Sequence, residues 1–211
     1  MKNKKIFTIL LIILIVGFIG LMVYFSTREE EKIEMPTENP IVYMTFVGYG
    51  DVVMELYPDK AFNTVANFVN LVEDGFYENN YITRVQKDFV LQAGGEKIAG
   101  FTINGEFKNN GHEENDLKHT LGVLSMARGE KNNSASSQFF IMLGEAEWLD
   151  GDYAAFGKVI EGLDVLEKIN TTKYKYAEAV HNFLDSSSYI KITNTRVDTK
   201  GYVYKAHRIS Y

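Results

Sequence analysis

Four histidines, several acidic residues beside two of them and no cysteine bound the polar chemistry this chain can offer. His112 and His119 flank Glu113, Glu114 and Asp116, residue types that hold divalent metals, but the histidine spacing of zinc proteases and any thiolate are missing. A solvated loop is the better reading, and no metal is expected. A serine nucleophile needs an activating elbow, and no Gly-x-Ser-x-Gly pattern occurs. Gly94-Gly95 lacks the lysine and spacing of a phosphate loop and reads as a backbone turn. Asn132 and Asn170 open glycosylation sequons, which matter only in a glycosylating host. What remains is one run from Tyr81 to Gly95 and two shorter blocks, Ser137 to Ile141 and Glu147 to Gly151.

The elements that must position these residues are mostly strands. Ile41 to Phe46 and Val52 to Leu56 are β-rich runs around a turn holding Gly48 and Gly50, which predicts a hairpin. In residues 62–74, Phe62, Val65, Ala66, Val69 and Val72 recur at helical spacing, with Asn63 able to cap and Gly75 at the stop. Strands are expected over Phe76 to Arg84, Phe89 to Gln92, Leu121 to Met126, Gln138 to Leu143, Phe156 to Ile160 and Ile190 to Val197, and a short helix over Gly162 to Ile169. Gly94 to Asn115 shows no sustained period and reads as a long loop, of a kind that often carries function. Many short strands with two helices predict a mainly β barrel or sandwich. With 45% hydrophobic residues, 14 Phe and 13 Tyr the chain is not disordered, and a net charge of −6 argues against nucleic-acid binding.

Taken singly, a Phe or Leu is most often core and an Arg most often surface. The order of the blocks changes that reading. Arg84-Val85, Phe89, Gln92, Gly94-Gly95, Leu124-Ser125-Met126-Ala127, Ser137-Gln138-Phe139-Phe140-Ile141, Trp148-Leu149-Asp150-Gly151 and Phe156-Gly157-Lys158-Val159 follow one another as they do in cyclophilin-type peptidyl-prolyl cis-trans isomerases. The chain resembles that family from about Ile41 to Val197. The resemblance implies a closed eight-stranded antiparallel β-barrel with two capping helices, no cofactor, and proline-containing polypeptides as substrates.

An Xaa-Pro amide rotates over tens to hundreds of seconds because resonance sets a barrier of roughly 18–20 kcal/mol. Catalysis needs a grip on the ring and a charge for the twisted amide, whose nitrogen regains a lone pair. The resemblance assigns the charge to Arg84 and the ring pocket to Phe89, Val90, Phe140 and Leu149. It assigns backbone contacts to Gln92, the groove wall to Ala127 and Arg128, the strand that presents Phe140 to Gln138, and the border to Trp148 and Tyr153. Departures are Thr83 for the usual His, Tyr153 for a common His, Arg128 for a common Asn, and a loop before Gln138 one residue longer. Tyr153, Trp148 and that loop leave cyclosporin binding open. Residues 171–211 depart most, and the Tyr-rich tail has no role in the family pattern. A proline-binding or holdase module with little catalysis is the alternative.

Ile6 to Phe25 form 20 residues whose only clearly polar member is Thr8, long enough as a helix to span about 30 Å of bilayer. Lys2, Lys4 and Lys5 precede them, which predicts a cytoplasmic N-terminus and an extracytoplasmic domain. No small-x-small site follows Phe25, so the segment reads as an uncleaved anchor. The expected organisation is residues 1–5 cytoplasmic, 6–25 transmembrane, 26–40 linker, 41–197 isomerase domain and 198–211 tail, as in a membrane-anchored, bacterial member of the family assisting exported proteins.

Overall fold

In the computed structural model, residues 15–18, 35–96, 99–178 and 183–210 are described. The chain divides into two units, residues 1–35 and 36–211. Of the expected membrane segment only residues 15–18 are described, and they are helical. The remainder lies outside the described residues, among which no helix is long and apolar enough to cross a membrane.

Alternation of buried and exposed side chains builds the second unit. In β1 (Ile41–Phe46) Val42, Met44 and Phe46 point inward, and in β2 (Gly50–Leu56) Val52, Met54 and Leu56 do the same. The hairpin register sets Met44 opposite Val52 and Val42 opposite Met54, so both apolar rows share one face. Six further strands complete the wall: β3 (Tyr81–Gln86), β4 (Val90–Ala93), β6 (Val123–Met126), β7 (Phe139–Met142), β8 (Ala155–Glu161) and β9 (Ile190–Asp198). They close in the order β1-β2-β8-β6-β7-β4-β3-β9, antiparallel throughout. Closure through the β1–β9 pair leaves the barrel itself without an edge strand.

Helix α1 (Phe62–Glu73) lies against the barrel interior, burying Val65, Ala66, Phe68, Val69, Leu71 and Val72. The Phe68 ring lies 5.1 Å from those of Phe139 and Phe156 and 5.0 Å from Tyr77. A second helix, α2 (Leu163–Thr171), buries Val165, Leu166 and Ile169.

Three details differ from the sequence expectation. Asn63 does not cap α1; the Glu106 carboxylate does, accepting from the Asn63 and Thr64 amides at 2.9 and 2.6 Å and from the Thr64 hydroxyl at 2.6 Å. An anionic acceptor suits the positive helix end better than a neutral amide. Phe76 to Asn80 form a turn rather than the start of a strand. Gly75 and Asn79 take left-handed φ of 66° and 61°, while Tyr77 is buried and donates its hydroxyl to the Ser137 carbonyl at 2.8 Å. Asn39 and Pro40, read as linker, already join the barrel: Asn39 donates to Glu55, and the Pro40 carbonyl accepts from the Leu56 amide at 3.0 Å.

The tail, to which the sequence assigned no role, packs along α1. Asn70 donates to the Tyr204 carbonyl at 2.9 Å, Asn63 exchanges hydrogen bonds with the His207 backbone, and β10 (Ile209–Ser210) pairs with β5 (Phe101–Thr102). Tyr204 is buried and lies edge-on to Tyr202 at 4.8 Å.

Candidate active site

Two-residue periodicity splits the strands between an inner and an outer apolar cluster. Leu91, Ala93, Phe139 and Ile141 face the barrel interior, whereas Val90, Phe140 and Met142 join Val123, Ala146, Leu149 and Ala155 in a separate cluster outside it. The registers align Arg84 with Gln92, Gln92 with Phe140, Phe140 with Ser125 and Ser125 with Ala155. One cross-strand row over five strands therefore runs from a guanidinium to an aromatic floor.

Above this row lies a cavity of about 250 Å³ lined by Arg84, Phe89, Val90, Gln92, Ala127, Arg128, Phe140, Leu149, Tyr153 and Phe183. Nine of those ten are residues singled out in the sequence. The other two stand beside it. Trp148 stacks on Phe89 at 5.8 Å and is 69% exposed, and Gln138 accepts from Gln92 at 2.8 Å. Gln138 packs against Gly95, and a Cβ on neighbouring Gly94, with φ of +85°, would collide with the Ser137 carbonyl oxygen. The Gly-Gly pair is thus a close-approach turn.

Arg84 is half-buried. It donates from Nη1 to Gln92 Oε1 at 3.1 Å and from Nη2 to Gln86 Oε1 at 2.9 Å, leaving further guanidinium N–H groups beside the cavity. Burial pushes its pKa down, with the Tyr153 hydroxyl acting the other way, and a guanidinium remains charged. Among the described residues its two side-chain acceptors are neutral amides, which orient the positive charge without cancelling it. The Phe89 and Phe183 rings lie 5.9 and 6.0 Å from its Cζ.

Arg128 serves the opposite wall. Its Nε donates to the Asp152 carbonyl at 3.0 Å, its Nη1 to the Gly129 carbonyl at 3.0 Å, and its Cζ lies 4.8 Å from the Tyr153 ring. The residue that replaces the family's common Asn is thereby tied to its own loop and to the cavity wall.

His119 corrects the expectation of a solvated loop, since it is buried behind Phe140, its ring stacked on the Phe140 ring at 6.0 Å. Asp150 Oδ1 accepts from the His119 amide and lies 2.9 Å from its Nδ1, and Nε2 lies 3.0 Å from Ser125 Oγ. Burial pushes the imidazole pKa down more strongly than Asp150 raises it, so the ring is neutral near pH 7, with Nδ1–H donating and Nε2 accepting the Ser125 proton. Burial raises the Asp150 carboxyl, but the His119 amide, the His119 ring and Lys118 outweigh it and hold it below the usual range. Ser125 is completely buried, so this Ser-His-Asp chain supports the floor and cannot attack a substrate. His112 instead faces the Lys60 carbonyl at 3.0 Å. Among the described residues no cluster of His, Cys, Asp or Glu could hold a metal.

Sequence reasoning missed Phe183, Gln86 and this relay. The Leu-Ser-Met-Ala and Trp-Leu-Asp-Gly blocks contained Ser125 and Asp150, but nothing in them linked either to His119. Phe183 had no signal, because it lies in the part of the chain that departs most from the family pattern.

A closed barrel whose outer face joins an apolar cavity to one oriented cation matches the family suggested by the sequence, and comparison with known proteins tests that match. Residues 41–197 match the family described as cyclophilin type peptidyl-prolyl cis-trans isomerase/CLD. The peptidyl-prolyl cis-trans isomerase cypE of Dictyostelium discoideum is 39% identical over 143 residues, 64% of this chain and 86% of the relative. Peptidyl-prolyl cis-trans isomerase B of Escherichia coli is 37% identical over 135 residues, 57% of this chain and 79% of the relative. A crystal structure of a Cryptosporidium parvum cyclophilin-type isomerase, determined in the presence of the dipeptide Ala-Pro, superposes with a TM-score of 0.59 at 27% identity, covering 74% of this chain and 98% of that one. The match over residues 41–197 places the chain in the cyclophilin-type peptidyl-prolyl cis-trans isomerase family.

Proposed function

We propose that this isomerase acts on Xaa-Pro bonds of exported or cell-surface polypeptides, from a domain held outside the cytoplasm of a bacterial cell by its N-terminal apolar segment. The prolyl ring seats on Phe89, Val90, Phe140 and Leu149, and Gln92 with the Ala127–Arg128 wall holds the flanking backbone. Arg84 supplies N–H groups to the prolyl nitrogen as it pyramidalises, and the planar fork reaches the neighbouring carbonyl from the same position. No bond breaks, so the work is differential binding: a planar amide has little lone pair to offer that charge, and a twisted one has more. The observation that carries this assignment is the guanidinium of Arg84 at the rim of the apolar cavity, steered by two neutral amides.

The location rests on Ile6 to Phe25 and the three lysines before them. Such a domain would speed folding steps limited by proline isomerisation. Two experiments test the reading. A coupled assay on the full-length chain in detergent should show accelerated isomerisation of an Xaa-Pro peptide, and binding without acceleration would favour a holdase. Protease added to intact cells should remove the domain, and protection would overturn the orientation.

A further inference from the structure

The segment joining α2 to β9 brings one large side chain to the cavity. Its backbone is fixed on both sides: the Phe183 carbonyl accepts from the Ala177 amide at 2.9 Å, and the Leu184 amide donates to the Thr83 carbonyl at 2.8 Å. Phe183 forms an isolated antiparallel bridge with Arg84 itself. The two neighbours divide their roles, since Leu184 is 1% exposed and belongs to the core, whereas Phe183 is half-buried and lines the cavity. The Phe89 and Phe183 rings both lie about 6 Å from the Arg84 Cζ, and the Arg84 backbone is flanked across the strands by Gln92 and by Phe183. A substrate side chain passing Arg84 therefore meets an aromatic surface where it would otherwise meet water.

We infer that Phe183 forms a second apolar subsite, selecting substrates with an aromatic or large aliphatic residue next to the proline on the side that leaves the pocket past Arg84. This rests on the reading of the cavity as the proline site. The driving force is burial of two apolar side chains against each other, with the added geometric preference of ring pairs. Two-dimensional NMR exchange needs no coupling protease, and it measures kcat/KM for the full-length chain in detergent on Xaa-Pro-Xaa peptides carrying Phe, Leu, Ala or Gly on each side in turn. The parent should prefer Phe over Gly at one flanking position by about 2- to 12-fold, the scale of one aromatic pair. Phe183→Ala should lose activity on Phe-flanked peptides by that factor more than on Gly-flanked ones, and Phe183→Leu should fall between. If Phe183→Ala does not fold, Phe183→Leu must still narrow the preference for Phe over Leu. No flank preference in the parent, the same preference in the variants, or an equal loss on every peptide would overturn the subsite, the last showing that Phe183 only steadies Arg84. A parent that turned over no peptide would overturn the reading of the cavity, and the subsite with it.

Discussion

Arg84 and Gln92 stand opposite each other on β3 and β4, and the guanidinium Nη1 donates to the amide Oε1 at 3.1 Å. Gln92 donates in turn to Gln138 at 2.8 Å, so this amide helps orient the charge and ties it to the residue that precedes β7. Gln92→Leu should lower kcat/KM about tenfold, in keeping with the loss of a hydrogen bond to a charged group, while the thermal midpoint changes little at this accessible site. Activity assays paired with melting curves check this. A large loss of stability with unchanged activity would make Gln92 structural.

His119 gives the fold a pH dependence of predictable sign. Its folded pKa lies below the unfolded value of about 6.5. As pH falls below that value the unfolded chain takes up a proton that the folded chain refuses, so stability is full above about pH 6.5 and is lost on acidification toward the folded pKa. The slope is up to about 1.4 kcal/mol per pH unit. Asp150 is depressed too, and its contribution persists until below about pH 3.8, so it does not oppose this trend between pH 7 and 5. Urea midpoints of the parent should fall across that range, and His119→Gln should flatten the profile. Equal slopes in both would show that the ring is not held neutral.

Glu106 caps α1 from 42 to 43 residues away along the chain. Glu106→Ala should cost about 1–2 kcal/mol, the scale of a lost N-cap, since two helix amides and the Thr64 hydroxyl lose their acceptor. Denaturant titration reads this directly, and Asn63→Ala should not reproduce it through capping, because Asn63 bonds the His207 backbone instead.

That substitution of one cap for another shows where sequence stops being informative. Alternation in β1 and the 3.6-residue spacing in α1 are local signals, and they reappear as the inward rows of Val42, Met44 and Phe46 and the buried face of Val65, Ala66 and Val69. The cavity lining was legible through ordered blocks, because each block carries its own strand or turn. Contacts between distant segments left no local trace. Glu106 reaching Thr64, His119 reaching Asp150, the tail pairing with β5, and Phe183 reaching Arg84 each join segments far apart along the chain, which no short window of sequence contains.

The role of Arg84 in stabilising the twisted amide is read from turnover of an Xaa-Pro peptide by the parent and by Arg84→Ala, with folding of both checked by thermal melting. The variant should fold normally, still bind the peptide, and isomerise it about 10²-fold more slowly or worse, the scale of losing one electrostatic donor to a transition state. A folded Arg84→Ala protein that turned over like the parent would contradict that role.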